Sequence, residues 1–441
     1  MLELDNVRSR KAFCQIVTAA ASGDVTADET SVAFGAKSKL DPPRSVPRII
    51  MIMLNHSPPA ASTGQSHIPA LDGVRAVAIL LVIPHNVDLL RPPLPLAAYP
   101  AALLMHSGWI GVQLFFVLSG FLITGNLLDS RESPNYFRVF FGHRALRILP
   151  LYYSVLLLTF VVVPILGLMP PELRETAPHQ VWLWTFLVNW TAPFGWAVYG
   201  FGHFWSLAVE EQFYLLWPVV VLRLEPRRLL KTCVAIAGGA LALRIVLLSL
   251  HTPSAAIYMF TVCRMDALAF GAAAAILARS PGSLAYIRSS ASKLALTALV
   301  VLGLTLVGTG EFAMTDPRTQ SIGYTTLSFA FAVIILLTTV PASGMWAIIM
   351  RMLAWKPLRL VGRYSYGMYV FHLPLHVFFG VPLLNRFAPH MSHRLALTYT
   401  AAVTLVTFLL AALSFELFES RFLKMKRWLV PAPAALAEPP H

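Results

Sequence analysis

Long uninterrupted apolar segments constrain the fold of this chain more than any other feature. Ten stretches approach the roughly 20 apolar residues that an α-helix needs to cross a hydrocarbon core. Hydrophobic residues make up 57% of the 441 residues and charged residues only 12%. The apolar runs are continuous rather than alternating, which excludes a membrane β-barrel. We therefore predict an all-α polytopic membrane bundle of about ten transmembrane helices, near 75–91, 108–127, 150–168, 206–222, 232–250, 258–278, 294–310, 322–340, 364–384 and 395–417.

Basic residues concentrate in alternate connections between these spans. Five basic residues occupy the other set of connections: Arg91, Arg174, Arg318, Arg386 and Arg394. The basic set has nineteen: Arg131, Arg138, Arg144, Arg147, Arg223, Arg227, Arg228, Lys231, Arg279, Arg288, Lys293, Arg351, Lys356, Arg359, Arg363, Arg421, Lys424, Lys426 and Arg427. The positive-inside rule predicts that this set and both termini are cytoplasmic. This asymmetry explains most of the net charge of +13 without nucleic acid as a partner.

The two ends of the chain differ in composition from the apolar region. Residues 1–65 mix charges with Ser, Thr and Ala and are expected to be a disordered cytoplasmic extension, or sequence upstream of the true start. Residues 66–428 are the predicted transmembrane domain, and 429–441 a disordered tail. The three cysteines are widely spaced, so neither a disulfide framework nor a thiolate metal site is predicted.

Polar residues inside apolar spans are costly, so each is a candidate for function. In the fourth span His203, Ser206, Glu210, Tyr214 and Trp217 follow helical spacing and form one stripe. A histidine, a hydroxyl and a carboxylate on one face suit acid–base chemistry on a hydroxyl group. A packing seam of aromatic and polar side chains is the alternative, and the carboxylate favours function.

Two further spans carry polar residues. In the ninth, Ser365, Tyr369 and His372 share one face, although a single histidine on such a face is more often a packing residue. In the sixth, Arg264 and Asp266 lie two residues apart and point in different directions. Each therefore needs a partner from another helix or a polar cavity. Ion pairs that hold the bundle together remain an alternative.

The first span carries Arg75 near its start and His85 after an apolar run that ends in Pro84, in the part expected to be deep in lipid. Before the third span, Arg144 and Arg147 lie one turn apart. Such a pair can clamp a phosphate, although charge alone is explained by cytoplasmic anchoring. No metal-binding or phosphate-loop motif accompanies these residues, and no metal ion is predicted.

Five ordered segments carry a resemblance to a known family. They are IPALDGVRAVAILLVIPH, GWIGVQLFFVLSGFLIT, FFGHRALRILPLYY, HFWSLAVEEQFYLLWP and GRYSYGMYVFHLP. With TVCRMDALAFG and FELFESRFL they resemble acyltransferase family 3, the bacterial integral-membrane acyltransferases, over residues 68–425. Some members carry a further hydrolase-like domain after the membrane region, which we expect to be absent here.

The resemblance implies an O-acyltransferase of the bacterial inner (plasma) membrane. It implies acyl-CoA, mainly acetyl-CoA, as co-substrate rather than bound cofactor, and a hydroxyl of a carbohydrate, glycolipid or glycosylated metabolite as acceptor. Arg75, Arg144 and Arg147 would bind acyl-CoA, and His85 would be the general base. Glu210 and Asp266 would act with it in catalysis.

The remaining polar residues of the spans are predicted to line the substrate cavity. These are Ser206, Arg264, Ser365, Tyr369 and His372. We expect membrane lipid as surroundings and no nucleic acid as partner, while the oligomeric state stays open. A proton-coupled transporter and a catalytically inactive scaffold of the same fold are the alternatives.

The family signature places ten residues between the arginine and the histidine, whereas only nine separate Arg75 from His85. At about 1.5 Å per residue the two lie roughly 15 Å apart along a helix. The missing residue turns the imidazole by about 80° from the expected face. Pro84 removes the hydrogen bond to the Leu80 carbonyl and can bend or rewind the helix there. We therefore predict a distortion between Leu80 and Pro84.

Overall fold

The computed structural model describes residues 68–90, 95, 98–196, 198–309, 312–388 and 391–429. Every regular element in these ranges is helical. The predicted extension 1–65 and residues 430–441 of the predicted tail lie outside the described residues.

Eleven helices are numbered in chain order: the ten longest and the nine-residue helix between the first two spans. They are α1 Pro69–Val87, α2 Tyr99–Ser107, α3 Ile110–Asp129, α4 Tyr136–Leu157, α5 Trp205–Arg223, α6 Pro226–Ser249, α7 Thr261–Arg279, α8 Ala291–Gly308, α9 Tyr324–Leu337, α10 Lys356–Leu375 and α11 His393–Ser414. Shorter helices are Val163–Ile165, Pro171–Thr176, Val181–Trp184, Ser254–Met259, Pro281–Ser289, Gly344–Leu353, Val381–Phe387 and Ser420–Lys424. Single π-helical turns extend four spans, at Leu158–Val162, Thr319–Gly323, His376–Gly380 and Phe415–Glu419.

Nine helical segments of the described ranges are long and apolar enough to cross a membrane, and they match nine of the ten predicted spans. They are Pro69–Val87, Ile110–Asp129, Tyr136–Ile165, Pro226–Ser249, Ser254–Arg279, Ala291–Gly308, Thr319–Leu337, Lys356–Phe387 and His393–Trp428. The fourth predicted span is α5, which carries Glu210 and Glu211 and packs against α3 in the same bundle. The prediction of a polytopic helical membrane bundle is confirmed.

Several spans have other boundaries than predicted: the ninth begins at Lys356 and the tenth extends to Trp428, and two further differences affect the candidate site. The third span begins at Tyr136 rather than near residue 150, so Arg138, Arg144 and Arg147 belong to α4 and not to a connection. A hydropathy window excludes such an arginine-rich segment from a predicted span. The segment can nevertheless be helical, because arginine has a high helix propensity. The first span begins at Pro69 and ends at Val87, so His85 lies near the end of α1 rather than in its middle.

Glycines set the closest helix contacts. A methyl group at Gly120 of α3 would lie 2.0 Å from the Leu268 carbonyl oxygen, and one at Gly271 of α7 would lie 1.9 Å from the Val117 carbonyl oxygen. At Gly362 of α10 the nearest atom would be a backbone oxygen of α1, at 1.9 Å. In membranes, small residues allow this approach of backbones and the van der Waals contact it brings. These contacts hold α1, α3, α7 and α10 together around the polar residues.

Contacts along these helices also give their relative directions. Asp72 of α1 meets Gly362, and Asn86 meets His372, so α1 and α10 run the same way. Helix α3 begins beside His85, and its contacts with α5 at Tyr214 and Trp217 follow chain order. Hence α3 and α5 run opposite to α1. We call the two ends of the bundle the His85 end and the Arg75 end.

Candidate active site

His85 is held by a backbone carbonyl. Its Nδ1 lies 2.8 Å from the Met105 carbonyl oxygen. Because a carbonyl only accepts, Nδ1 carries the proton and donates, and Nε2 keeps its lone pair. The half-buried imidazole also packs beside Gly108, where an added methyl would lie 2.7 Å from the His85 Cβ. In its neutral form the ring is therefore the tautomer that a general base acting through Nε2 requires.

The helix continues without a break across Leu80 to Pro84, where the shortened spacing predicts a distortion. Helix α1 is α-helical from Pro69 through Pro84 to Val87. The imidazole instead turns toward α2 and the start of α3, which supply Met105 and Gly108.

Asn86 occupies the face of α1 that the signature histidine would take. It stands eleven residues after Arg75, close to the same side of the helix. Its side-chain Nδ2 donates to Nε2 of His372 over 2.9 Å. The His372 Nδ1 donates to the carbonyl of Tyr369 over 2.7 Å. Both nitrogens of this buried ring are engaged, so His372 is neutral and fixed in orientation.

A second histidine completes the His85 end. The His203 ring lies edge-on to His372 with centroids 4.7 Å apart. It is buried, and neither of its ring nitrogens has a hydrogen-bond partner within the described part of the chain. Tyr369 donates to the His203 carbonyl over 2.6 Å and lies 2.6 Å from the Ser206 hydroxyl. The structure therefore joins the predicted residues Ser206, Tyr369 and His372 in one cluster with Asn86.

Ser365, on the same helix, does not join this cluster. Its hydroxyl donates to the Gly362 carbonyl of its own helix over 2.8 Å. Hydroxyl groups on membrane helices often donate a hydrogen bond to a backbone carbonyl of their own helix in this way. The role of Ser365 in the cavity stays a prediction.

At the Arg75 end, three arginines share one electrostatic environment. Arg75 pairs with Asp72 over 2.8 Å, and its side chain is 35% exposed. The guanidinium of Arg144 lies over the ring of Tyr214 at 5.2 Å. Arg147 lies over Tyr366 at 5.7 Å. The three guanidinium groups are near enough to repel one another, and we call them the arginine patch; carboxylates face it, Asp72 at Arg75 and Glu419 at Arg147.

Beside this patch, hydroxyl groups link α3 to α5. Tyr214 donates to Oε2 of Glu210 over 3.0 Å. The Ser119 hydroxyl lies 2.5 Å from the Tyr214 oxygen. Since Tyr214 has a single proton and gives it to Glu210, Ser119 is the donor in that contact. Glu210 is thus tied to Tyr214, and its predicted catalytic role stays a prediction.

Asp266 has a partner on another helix, as the sequence predicts. Its Oδ2 lies 2.8 Å from Arg244 of α6, and both side chains are fully buried. The same oxygen accepts from Thr325 over 2.9 Å, and Oδ1 accepts from the Ala267 amide over 2.9 Å. These contacts match the ion-pair alternative, so a catalytic role of Asp266 stays a prediction without geometric support.

The charge of Arg264 is stabilised by an amide and by aromatic rings. It donates to the Gln113 side chain of α3, and its guanidinium lies 4.0 Å from the centre of the Tyr324 ring and 5.1 Å from that of Tyr258. Its Nε and Nη1 have no hydrogen-bond partner among the described residues. Cation–π contacts are strong when desolvated, so they take the place of a carboxylate here.

Sequence reasoning missed four residues of this network. They are Asn86, Gln113, Ser119 and Arg244. Arg244 carried a usable signal, because an arginine inside an apolar span needs a partner. Asn86, Gln113 and Ser119 are polar but uncharged, and their importance follows from contacts with distant parts of the chain.

These features define a polytopic helical membrane protein with a histidine cluster at one end of its interior and an arginine patch at the other. A family model described as an acyltransferase domain matches residues 68–416. The chain belongs to this acyltransferase family, as its sequence motifs predict.

The relatives that the chain matches carry related names. It is 29% identical over 336 residues to the O-acetyltransferase OatA of Staphylococcus aureus, covering 71% of this chain and 51% of the relative. It is 27% identical over 372 residues to the peptidoglycan O-acetyltransferase OatA of Listeria monocytogenes, covering 81% and 56%. The putative peptidoglycan O-acetyltransferase YrhL of Bacillus subtilis is 30% identical over 377 residues, covering 80% and 54%. The chain thus spans about half the length of these relatives. No solved structure matches it.

Proposed function

We propose that this protein is a membrane O-acetyltransferase that moves an acetyl group from acetyl-CoA to a hydroxyl of a carbohydrate-containing acceptor. One observation carries the proposal. The same helix bears Arg75 within the arginine patch and, roughly 15 Å away, His85 with its Nε2 lone pair available. One bundle can thus bind an anionic acyl donor at the Arg75 end and accept a proton at the His85 end.

The arginine patch suits the phosphate groups of CoA. The three guanidinium groups repel one another, and carboxylates of the chain, Asp72 at Arg75 and Glu419 at Arg147, offset their charge in part. Guanidinium groups bind phosphate in bidentate fashion, with shorter and stronger hydrogen bonds than neutral donors make. With the phosphates at Arg75, Arg144 and Arg147, the thioester can extend along α1 toward His85.

His85 acts as the general base. Its Nε2 takes the proton of the acceptor hydroxyl while the oxygen attacks the thioester carbon. The carbon–sulfur bond breaks, and the CoA thiolate leaves with the proton from the imidazolium. The Met105 carbonyl holds the ring throughout and stabilises the cation through its hydrogen bond to Nδ1. This arrangement supplies the orientation that the sequence assigns to Glu210 or Asp266.

The relatives and the charge pattern support a choice of acceptor and location. Two relatives are named for peptidoglycan, which makes a glycan hydroxyl the first acceptor to test. The basic connections favour a bacterial plasma membrane in which the Arg75 end faces the cytoplasm, where CoA is found.

The test compares His85→Ala with wild type in permeabilised cells supplied with radiolabelled acetyl-CoA. Base-labile label incorporated into cell material measures O-acetylation. Wild type is expected to incorporate label, and His85→Ala to lose at least about 100-fold of it, as loss of a general base does. His376→Ala is the matched control, because that buried histidine bonds Tyr399 and no residue of the cluster. Full activity of a normally folded His85→Ala protein would refute the assignment.

Assays on purified protein and on vesicles separate an enzyme from a transporter. Purified protein that releases free CoA in proportion to acylated product is an enzyme. Movement of acetyl-CoA or acceptor across vesicles without release of CoA would favour the transporter, and neither flux nor chemistry would favour the scaffold.

A further inference from the structure

The polar groups between α3 and α5 lie at the same depth as the arginine patch. Gly108, just before α3, touches His85, and Ser119 follows eleven residues later, or about 16 Å toward the Arg75 end. Arg75 lies roughly 15 Å below His85 on α1. Tyr214 is within electrostatic range of both Arg75 and Arg144. Ser119, Tyr214 and Glu210 therefore stand where a molecule bound at the patch would turn toward His85.

Helix α5 continues this polar wall toward the His85 end. Ser206, Glu210 and Tyr214 recur every four residues and so share one face. Phe115, one turn above Ser119 on α3, packs edge-on against Tyr369 at 6.4 Å. The polar side chains of α5 thus cover most of the distance between the two ends of the site.

The hydrogen bonds of this wall leave acceptors unused. Ser119 spends its proton on Tyr214, so its oxygen lone pairs remain free to accept. Glu210 accepts from Tyr214 on Oε2, and its carboxyl group keeps lone pairs beyond those that Tyr214 and Ser119 engage. Both residues are half-buried rather than sealed into the protein. The wall therefore offers two hydrogen-bond acceptors to a ligand that brings N–H groups.

We propose that Ser119 and Glu210, held in place by Tyr214, bind the amide groups of the pantetheine arm of acyl-CoA. The arm carries two amides, and burying an N–H without a partner is costly in a water-poor interior. Ser119 and Glu210 accept from these N–H groups and thereby direct the thioester along α5 to His85. This inference rests on the proposed function and gives Glu210 a substrate-binding role.

The experiment compares two ligands that share the nucleotide part, of which only CoA carries the pantetheine arm. Purified full-length protein in detergent is titrated with CoA and with adenosine 3′,5′-bisphosphate. Wild type is expected to bind CoA more tightly than the bisphosphate. Glu210→Gln replaces one carboxyl oxygen by an NH₂ donor and is expected to weaken CoA binding roughly 10- to 100-fold, and Ser119→Ala roughly 3- to 10-fold. Bisphosphate affinity stays unchanged in both, which also shows that each variant is folded.

Two further variants sharpen the result. Tyr214→Phe keeps the ring beneath Arg144 and removes only the hydroxyl that positions Ser119 and Glu210, so it is expected to weaken CoA selectively. Glu211→Gln is the matched control, since it removes the neighbouring carboxylate on a different face of α5 and is expected to preserve the affinity ratio.

The outcomes separate this inference from the proposed function. If wild type binds neither ligand, the CoA donor itself is refuted. If wild type binds CoA no better than the bisphosphate, or if the variants weaken both ligands equally or neither, the donor stands and the pantetheine site is refuted. Selective loss of CoA supports it.

Discussion

Replacing Gly108 by alanine tests how the bundle positions His85. An added methyl group would lie 2.2 Å from the Leu81 carbonyl oxygen and 2.7 Å from the His85 Cβ. Real Cβ atoms essentially never approach closer than 3.0 Å. Because a backbone carbonyl cannot swing away, α1 and α3 must separate by about 0.8 Å at the site.

Both stability and activity should respond. Overpacking of this kind costs roughly 1–3 kcal/mol of unfolding free energy. A misplacement of about 1 Å at a reacting group can cost about 100-fold in rate. We therefore expect Gly108→Ala to lower kcat roughly 30- to 100-fold while the affinity for CoA changes little, since the arginine patch lies at the other end of α1.

Two other glycines serve as controls. Gly111→Ala would meet the Ala78 carbonyl at 2.4 Å, so it should cost similar stability, yet it does not touch His85 and should cost under about 10-fold in kcat. Gly303→Ala on α8 has nothing within 4 Å and should be neutral in both assays. Acetyl transfer in permeabilised cells and unfolding in detergent by denaturant measure the two effects. Equal loss of kcat in Gly108→Ala and Gly111→Ala would refute the reasoning about His85.

Three further substitutions test the remaining network. Asp266→Asn leaves Arg244 as an uncompensated buried charge and should lower the unfolding free energy by about 3–5 kcal/mol. Replacing both residues by apolar ones should restore much of this free energy. A loss below about 1 kcal/mol in Asp266→Asn would contradict a strong ion pair. Asn86→Leu leaves Nε2 of His372 buried without a donor and should cost about 1–3 kcal/mol, and a double-mutant cycle with His372→Leu should show coupling above about 0.5 kcal/mol. Arg147→Ala should weaken CoA and adenosine 3′,5′-bisphosphate by the same factor, roughly 10- to 100-fold; loss of CoA alone would place Arg147 on the arm instead of the phosphates.

Hydropathy predicts the spans well because membrane insertion depends on local composition. Nine predicted spans recur as helices that can cross a membrane, and the tenth is α5. Boundaries were less predictable. Arg144 and Arg147 belong to α4 although their charge marks them as a connection, because a helix can extend beyond the hydrocarbon core while hydropathy sees only the core.

Candidate residues were predictable where they are charged or aligned by helix periodicity. The stripe of α5 brings Ser206 to Tyr369, and Asp266 finds a partner on another helix, as its position required. What each residue bonds to could not be read from one helix. Met105 holds His85 through a backbone carbonyl, and every residue has such a group, so no sequence signal marks it.

The sequence by itself determined the class of the protein, its spans and the two ends of its site, because burial of apolar helices and the cost of intramembrane charge are local properties. Only the tertiary structure decided which way those residues face. The short Arg75–His85 spacing predicted a distortion between Leu80 and Pro84, but α1 continues through that stretch, and Gly108 and the Met105 carbonyl receive His85 on the side it already faces. Asn86 then takes the inward face and bonds His372 on α10, a contact that exists only once distant helices pack.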